Sequence, residues 1–109
     1  MNRREFTKTL AKLLTEMIES GEQPVIHYVF RSNEEQYRLF LDGKSKCDGI
    51  KIRSRHQDML AADIYLADDN GIKWEWPQDK AIRWHNRFVE LGGGPMITWD
   101  LPHFSSDGR

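Results

Sequence analysis

The chain has 109 residues, a single cysteine and a net charge of -1 from 16 basic and 17 acidic side chains. That length suits one domain, residues 1–109, with a modest core, because a domain of this size buries only about two-thirds of its unfolded surface. Near-balanced charge argues against a nucleic-acid partner, Cys47 alone cannot form an intrachain disulfide, and no segment is apolar for long enough to span a membrane.

Residues 3 to 20 read as a helix, with Phe6, Leu10, Leu13, Leu14, Met17 and Ile18 on one face. Asn2 and Glu5 form a capping-box pattern, and Gly21 is a natural stop. The start, Met1-Asn2-Arg3-Arg4, leads into this amphipathic pattern and not into an apolar signal core, so a cytoplasmic product is expected at synthesis. Pro24 to Phe30 is rich in β-branched and aromatic residues and reads as a strand. Ser32 offers an N-cap, with Glu35 at the reciprocal position, for a short helix ending before Gly43. Residues 43 to 55 read as a loop. Ile64–Ala67 and Ile72–Trp76 flank Asn70-Gly71, a strong hairpin signal. A last helix starts at Pro77 and Asp79, buries Ala81, Trp84, Phe88 and Leu91, and stops at Gly92-Gly93-Gly94. Met96–Trp99 and His103–Ser105 are short strand candidates. This order predicts an α+β fold with a small antiparallel sheet and flanking helices.

The chemistry gathers in two places. His56 precedes Asp63 by seven positions, and Asp100 precedes His103 by three. Two imidazoles and a carboxylate suit a zinc ion that keeps one position for water. Strand alternation turns Asp63 and Tyr65 to one face and Ile64 and Leu66 to the other. Pro102 stiffens the corner between Asp100 and His103. A tight corner there holds Asp100 close to the metal without making it a ligand, where it can move a proton. Trp74 and Trp76 lie on the hairpin as core residues or as a groove wall. His27 reads as a packed or edge histidine, and Cys47 as a bystander.

These residues resemble the D-alanyl-D-alanine carboxypeptidase and L-alanyl-D-glutamate peptidase family of zinc peptidases, whose fold is shared with the hedgehog signalling domain. Phe30-Arg31-Ser32-Asn33-Glu34-Glu35-Gln36-Tyr37-Arg38-Leu39 is similar to the family's aromatic-Arg-Ser-x-x-Glu-Gln-x-x-Leu segment. Ser54-Arg55-His56 and Ala61-Ala62-Asp63 are similar to SxHxxGxAxD. Gly93, Trp99 and Asp100-Leu101-Pro102-His103-Phe104 are similar to the ending of phage cell-wall peptidases. The resemblance implies zinc ligands at His56, Asp63 and His103, a catalytic base at Asp100, a substrate-facing or oxyanion-facing Arg31, and support from Gln36 and Ser54. It also implies a peptidoglycan peptide substrate and a phage or prophage role in wall lysis after release from the cell. The family glycine is Met59 here, a departure that matters if the position needs a positive φ. His85 follows Trp84 as the last ligand does in some relatives, but Arg83 stands where they carry an acid. The alternative from another class is a non-catalytic zinc-binding domain of the same fold.

Overall fold

A computed structural model describes residues 1–109. Helix α1 spans Arg3–Glu19, and Asn2 and Glu5 exchange both capping-box hydrogen bonds. Its buried face is Phe6, Thr9, Leu10, Leu13 and Met17. Ile18 departs from expectation and is exposed. It lies one residue, hence about 100°, past Met17, which turns it off the packed stripe.

Strand β1 spans Pro24–Tyr28 and ends two residues earlier than expected. An irregularity in pairing between Ile26 and Tyr28 breaks the ladder, and the Arg31 N–H then donates to the His56 carbonyl. Helix α2 spans Asn33–Leu41, with Ser32 accepting from the Glu35 N–H. The expected return bond from Glu35 is absent, because its carboxylate pairs with Arg38 instead. Gln36 is the one buried residue of α2. The expected loop runs on to a single 3-10 turn, Arg55–Asp58, with its own capping box between Ser54 and Gln57.

Strand β2, Ala61–Asp68, starts three residues before the expected position because it is the centre of the sheet. Strand β1 pairs along one edge, while β3 (Gly71–Lys73) and β4 (His103–Ser105) divide the other edge between them. All pairings are antiparallel. The hairpin forms at Asn70-Gly71, but its second strand stops at Lys73 and not at Trp76. Helix α3 spans Gln78–Glu90 and buries Ala81, Trp84, His85 and Phe88; Leu91 caps it from outside. The strand expected at Met96–Trp99 does not form. Both edges of β2 are already taken, by β1 on one side and by β3 and β4 on the other. The chain makes two successive turns instead, Asp100 N–H to the Ile97 carbonyl and His103 N–H to the Asp100 carbonyl, both at 3.1 Å.

Helices α1 and α3 supply the core against one face of the sheet, where Ala62, Ile64, Leu66 and Phe104 meet Phe6, Leu13, Met17, Trp84 and Phe88. Trp76 joins this core and donates its indole N–H to the Ile64 carbonyl at 2.9 Å, whereas Trp74 is exposed. Gly93 and Gly94 do more than stop α3. A Cβ on Gly93 would lie 2.2 Å from the Phe88 ring, and one on Gly94 would lie 2.0 Å from the Gly108 nitrogen. Both are close-approach positions that seat the C-terminal segment. No helix is long and apolar enough to cross a membrane. The opposite face of β2 carries Asp63 and Tyr65 and is left for the site.

Candidate metal centre

The register of the sheet assembles the cluster. Asp63 sits opposite Tyr28 of β1 and opposite His103 of β4. Directly paired residues share a face with Cβ atoms about 5 Å apart. His103 therefore arrives beside Asp63 while Phe104, paired with Ala62, enters the core. His56 comes from the 3-10 turn before β2, which Ser54 opens by accepting from the His56 N–H. One ligand atom from each of His56, Asp63 and His103 lies within 4.8 Å of the others. The three expected ligands therefore meet at one point: Asp63 Oδ1 is 3.1 Å from His56 Nε2 and 3.5 Å from His103 Nδ1.

The second nitrogen of each ring fixes the first. His56 Nδ1 lies 2.9 Å from the Val29 carbonyl, and His103 Nε2 lies 3.0 Å from the Arg109 carbonyl. A carbonyl only accepts, so each of these nitrogens carries the proton. In the neutral rings this leaves the lone pair on His56 Nε2 and on His103 Nδ1, the two atoms facing Asp63. Two oriented imidazoles and one carboxylate, with each ring tied to a backbone carbonyl, fit a divalent metal ion.

Electrostatics agrees. Burial would raise the Asp63 carboxyl, but hydrogen bonds from His103 and His56 and their charges outweigh it and hold the group well below the usual carboxylate range. His103 shows the reverse balance. Burial disfavours its charged form, yet Asp63, the Arg109 carbonyl and Asp100 carry it above its ordinary value. A metal ion would therefore compete with a proton for His103.

Asp100 stands apart from the cluster. Its Oδ2 is 4.0 Å from His103 Nδ1, and the side chain is half exposed. Burial and the negative charge of Asp63 raise its carboxyl, against the pull of His103, His56 and Arg31. Arg31 is 11% exposed, with Nη2 3.9 Å from Asp63 Oδ2 and its guanidinium over the Tyr28 ring. It makes no ion pair with Glu34 or Glu35. Gln36 accepts from Arg31 Nη1 at 2.9 Å and donates to Ser45 Oγ and the Cys47 carbonyl, linking Arg31 to the loop after α2.

Three further residues complete the surroundings. His85 is not a ligand. It stacks on Phe104 at 3.8 Å and its Nε2 lies 2.6 Å from the Leu101 carbonyl, so it braces the turn that carries Asp100. Sequence reasoning placed His85 on the helix but missed this contact, since nothing local signals a partner sixteen residues away. Tyr28, opposite Asp63, was also missed; its pairing depends on the irregular end of β1. His27 is an edge-strand residue whose ring meets Tyr65 and Trp74.

No protein-family profile matches the chain, and no curated protein matches it. Solved structures do. The LdcB LD-carboxypeptidase, described with the molecular basis of peptidoglycan recognition, superposes with a TM-score of 0.69 at 21% identity. The match covers 95% of this chain and 64% of that one. The L,D-carboxypeptidase DacB from Streptococcus pneumonia gives 0.65 at 21% identity, covering 98% and 67%. The chain thus spans about two-thirds of the length of these structures, and it has their fold.

Proposed function

We propose that the chain is a zinc-dependent peptidase that hydrolyses peptidoglycan stem peptides, as a carboxypeptidase or an L-Ala-D-Glu endopeptidase. The observation that carries this reading is a carboxylate held beside a ligand cluster but outside it: Asp100, 4.0 Å from His103, next to His56, Asp63 and His103. A purely structural site has no use for such a group. The fold shared with two L,D-carboxypeptidases supplies the substrate class.

His56 Nε2, His103 Nδ1 and the Asp63 carboxylate would hold the ion. When bound, zinc supplies Lewis acidity toward a carbonyl oxygen and makes a water easier to deprotonate. Asp100, with its proton affinity raised, takes a proton from the attacking water and delivers it to the leaving amine. Arg31, pinned by Gln36 and 3.9 Å from Asp63, would anchor a substrate carboxylate or the oxyanion. Ser54 and Gln36 act from behind these groups. Wall lysis for a phage or prophage, after release from the cell, is the setting that fits the Asp-x-x-His-Phe ending.

The test is mass spectrometry of purified muropeptides incubated with the zinc-loaded chain. Cleavage with the gain of one water is expected, and fragment masses name the bond. Asp100→Asn should keep about one zinc per chain and lose cleavage, while His56→Ala should lose the metal. Full activity in Asp100→Asn refutes the assigned base. Zinc binding with no cleavage of any muropeptide identifies a non-catalytic zinc-binding domain instead.

A further inference from the structure

A surface groove of about 480 Å³ lies between Tyr65, residues 74–76 after β3 and residues 98–102, Asp100 among them. Its walls include Tyr65, Trp74 and Trp99, and its polar groups include Glu75, Thr98 and Asp100. Trp99 is 74% exposed and Trp74 is 57% exposed. Two largely exposed indoles on one groove offer apolar area to an occupant. Each ring also has a neighbour. Trp74 meets Tyr65 edge-on at 4.8 Å and His27 at 5.4 Å, and the Lys46 ammonium lies 4.7 Å from the centre of the Trp99 ring.

We propose that this groove is a carbohydrate subsite that takes an N-acetylated pyranose joined to the peptide substrate. A pyranose presents a face of C–H groups to an aromatic ring and a rim of hydroxyls to acceptors. Trp74 and Trp99 supply the first kind of surface, and Glu75, Thr98 and Asp100 supply the second. The charged groups lining the groove, Glu75 and Asp100, are both acidic, and no Lys or Arg lines it. That disfavours a peptide carboxylate as its occupant. A basic side chain would find carboxylates there, but one methylene chain leaves most of the volume unfilled, and Trp99 already has the Lys46 ammonium. Because Asp100 both lines the groove and lies 4.0 Å from His103, its occupant would belong to the molecule whose peptide bond lies at the ligand cluster. The subsite rests on the peptidase reading and narrows it: the preferred substrate is a peptide still attached to its glycan sugar.

Two measurements test this, one independent of catalysis. NMR titration of the metal-loaded chain with an N-acetylglucosamine tetrasaccharide should shift the signals of Tyr65, Trp74 and Trp99. Trp99→Ala and Trp74→Ala should each weaken binding by about tenfold, the size of one good aromatic contact. No shift at millimolar sugar, or unchanged affinity in both variants, overturns the subsite whatever the activity. In the second, kcat/KM is compared for a muropeptide and for the same peptide freed of its sugar. A preference of about tenfold for the sugar-linked form, reduced in Trp99→Ala, is expected. Equal kcat/KM for the two forms overturns the preference. If neither form is cleaved, the peptidase reading fails, and the titration alone decides the carbohydrate site.

Discussion

Met59 should be more tolerant of glycine than of alanine, the reverse of the usual order. It caps the 3-10 turn with φ 57° and ψ 38°, the one non-glycine residue of the chain with positive φ. A Cβ in that region costs about 1–2 kcal/mol. Glycine avoids the cost but gives back about 0.4–1 kcal/mol through the freedom of its unfolded chain. Glycine should therefore exceed alanine here by about 1 kcal/mol. Both variants lose the same partly buried thioether chain, since Met59 is 38% exposed. The comparison between them isolates the backbone. Urea denaturation in the presence of a chelator is the suitable assay, because metal binding would otherwise add its own stabilisation. A gap of about 1 kcal/mol corresponds to about 4–8 °C in melting temperature for a domain of this size. If Met59→Ala proves as stable as Met59→Gly, the left-handed conformation is not what the position imposes.

Further outcomes follow from the same contacts. Burial holds His85 below its ordinary value, with the Leu101 carbonyl opposing and His103 adding to the shift. The unfolded chain thus takes up this proton first as pH falls. The contribution is complete above about pH 6.5 and is lost as pH drops below it. His103 runs the other way: its raised value stabilises the metal-free fold below about pH 6.5 and fades as pH rises. Comparing urea midpoints of the wild type and His85→Gln from roughly pH 7.5 to pH 5, around the unperturbed histidine value, separates the two; parallel profiles would deny His85 its share. Gly94→Ala should destabilise by about 1–3 kcal/mol through overpacking against Gly108, and should weaken zinc binding, because the displaced segment carries the Arg109 carbonyl that orients His103. Unchanged zinc affinity in a calorimetric titration would show that this carbonyl is dispensable.

What could be read from the sequence was whatever local chemistry determines. The capping box at Asn2, the stop at Gly21, the Asn70-Gly71 hairpin and the alternation across Asp63-Ile64-Tyr65-Leu66 all depend on near neighbours, and all are present. The convergence of His56, Asp63 and His103 was legible because each lies beside a strand-like or loop-to-strand segment in the right order. The failures have two causes. Met96–Trp99 has strand composition but folds into two turns, and Trp74 and Trp76 part company when β3 stops at Lys73; both depend on partners distant in sequence. Ile18 instead turns off the packed stripe of its own helix. Met59 sits between these cases: the resemblance marked its position, and the backbone shows why glycine would suit it.

The pairing of β4 with β2 joins two properties that are usually separable. His103 faces Asp63 and the candidate ligand cluster, and Phe104 faces the core, because they are consecutive residues on one strand. A slip of one position would drive an imidazole into the apolar interior and a phenyl ring into the ligand cluster. The register that seats Phe104 in the core is thus the same one that brings His103 to Asp63, so a metal ion held there would require the hydrophobic face to be in order. An insertion of a single residue in the turn before His103 should abolish both together, and no change of strand alignment can trade one for the other.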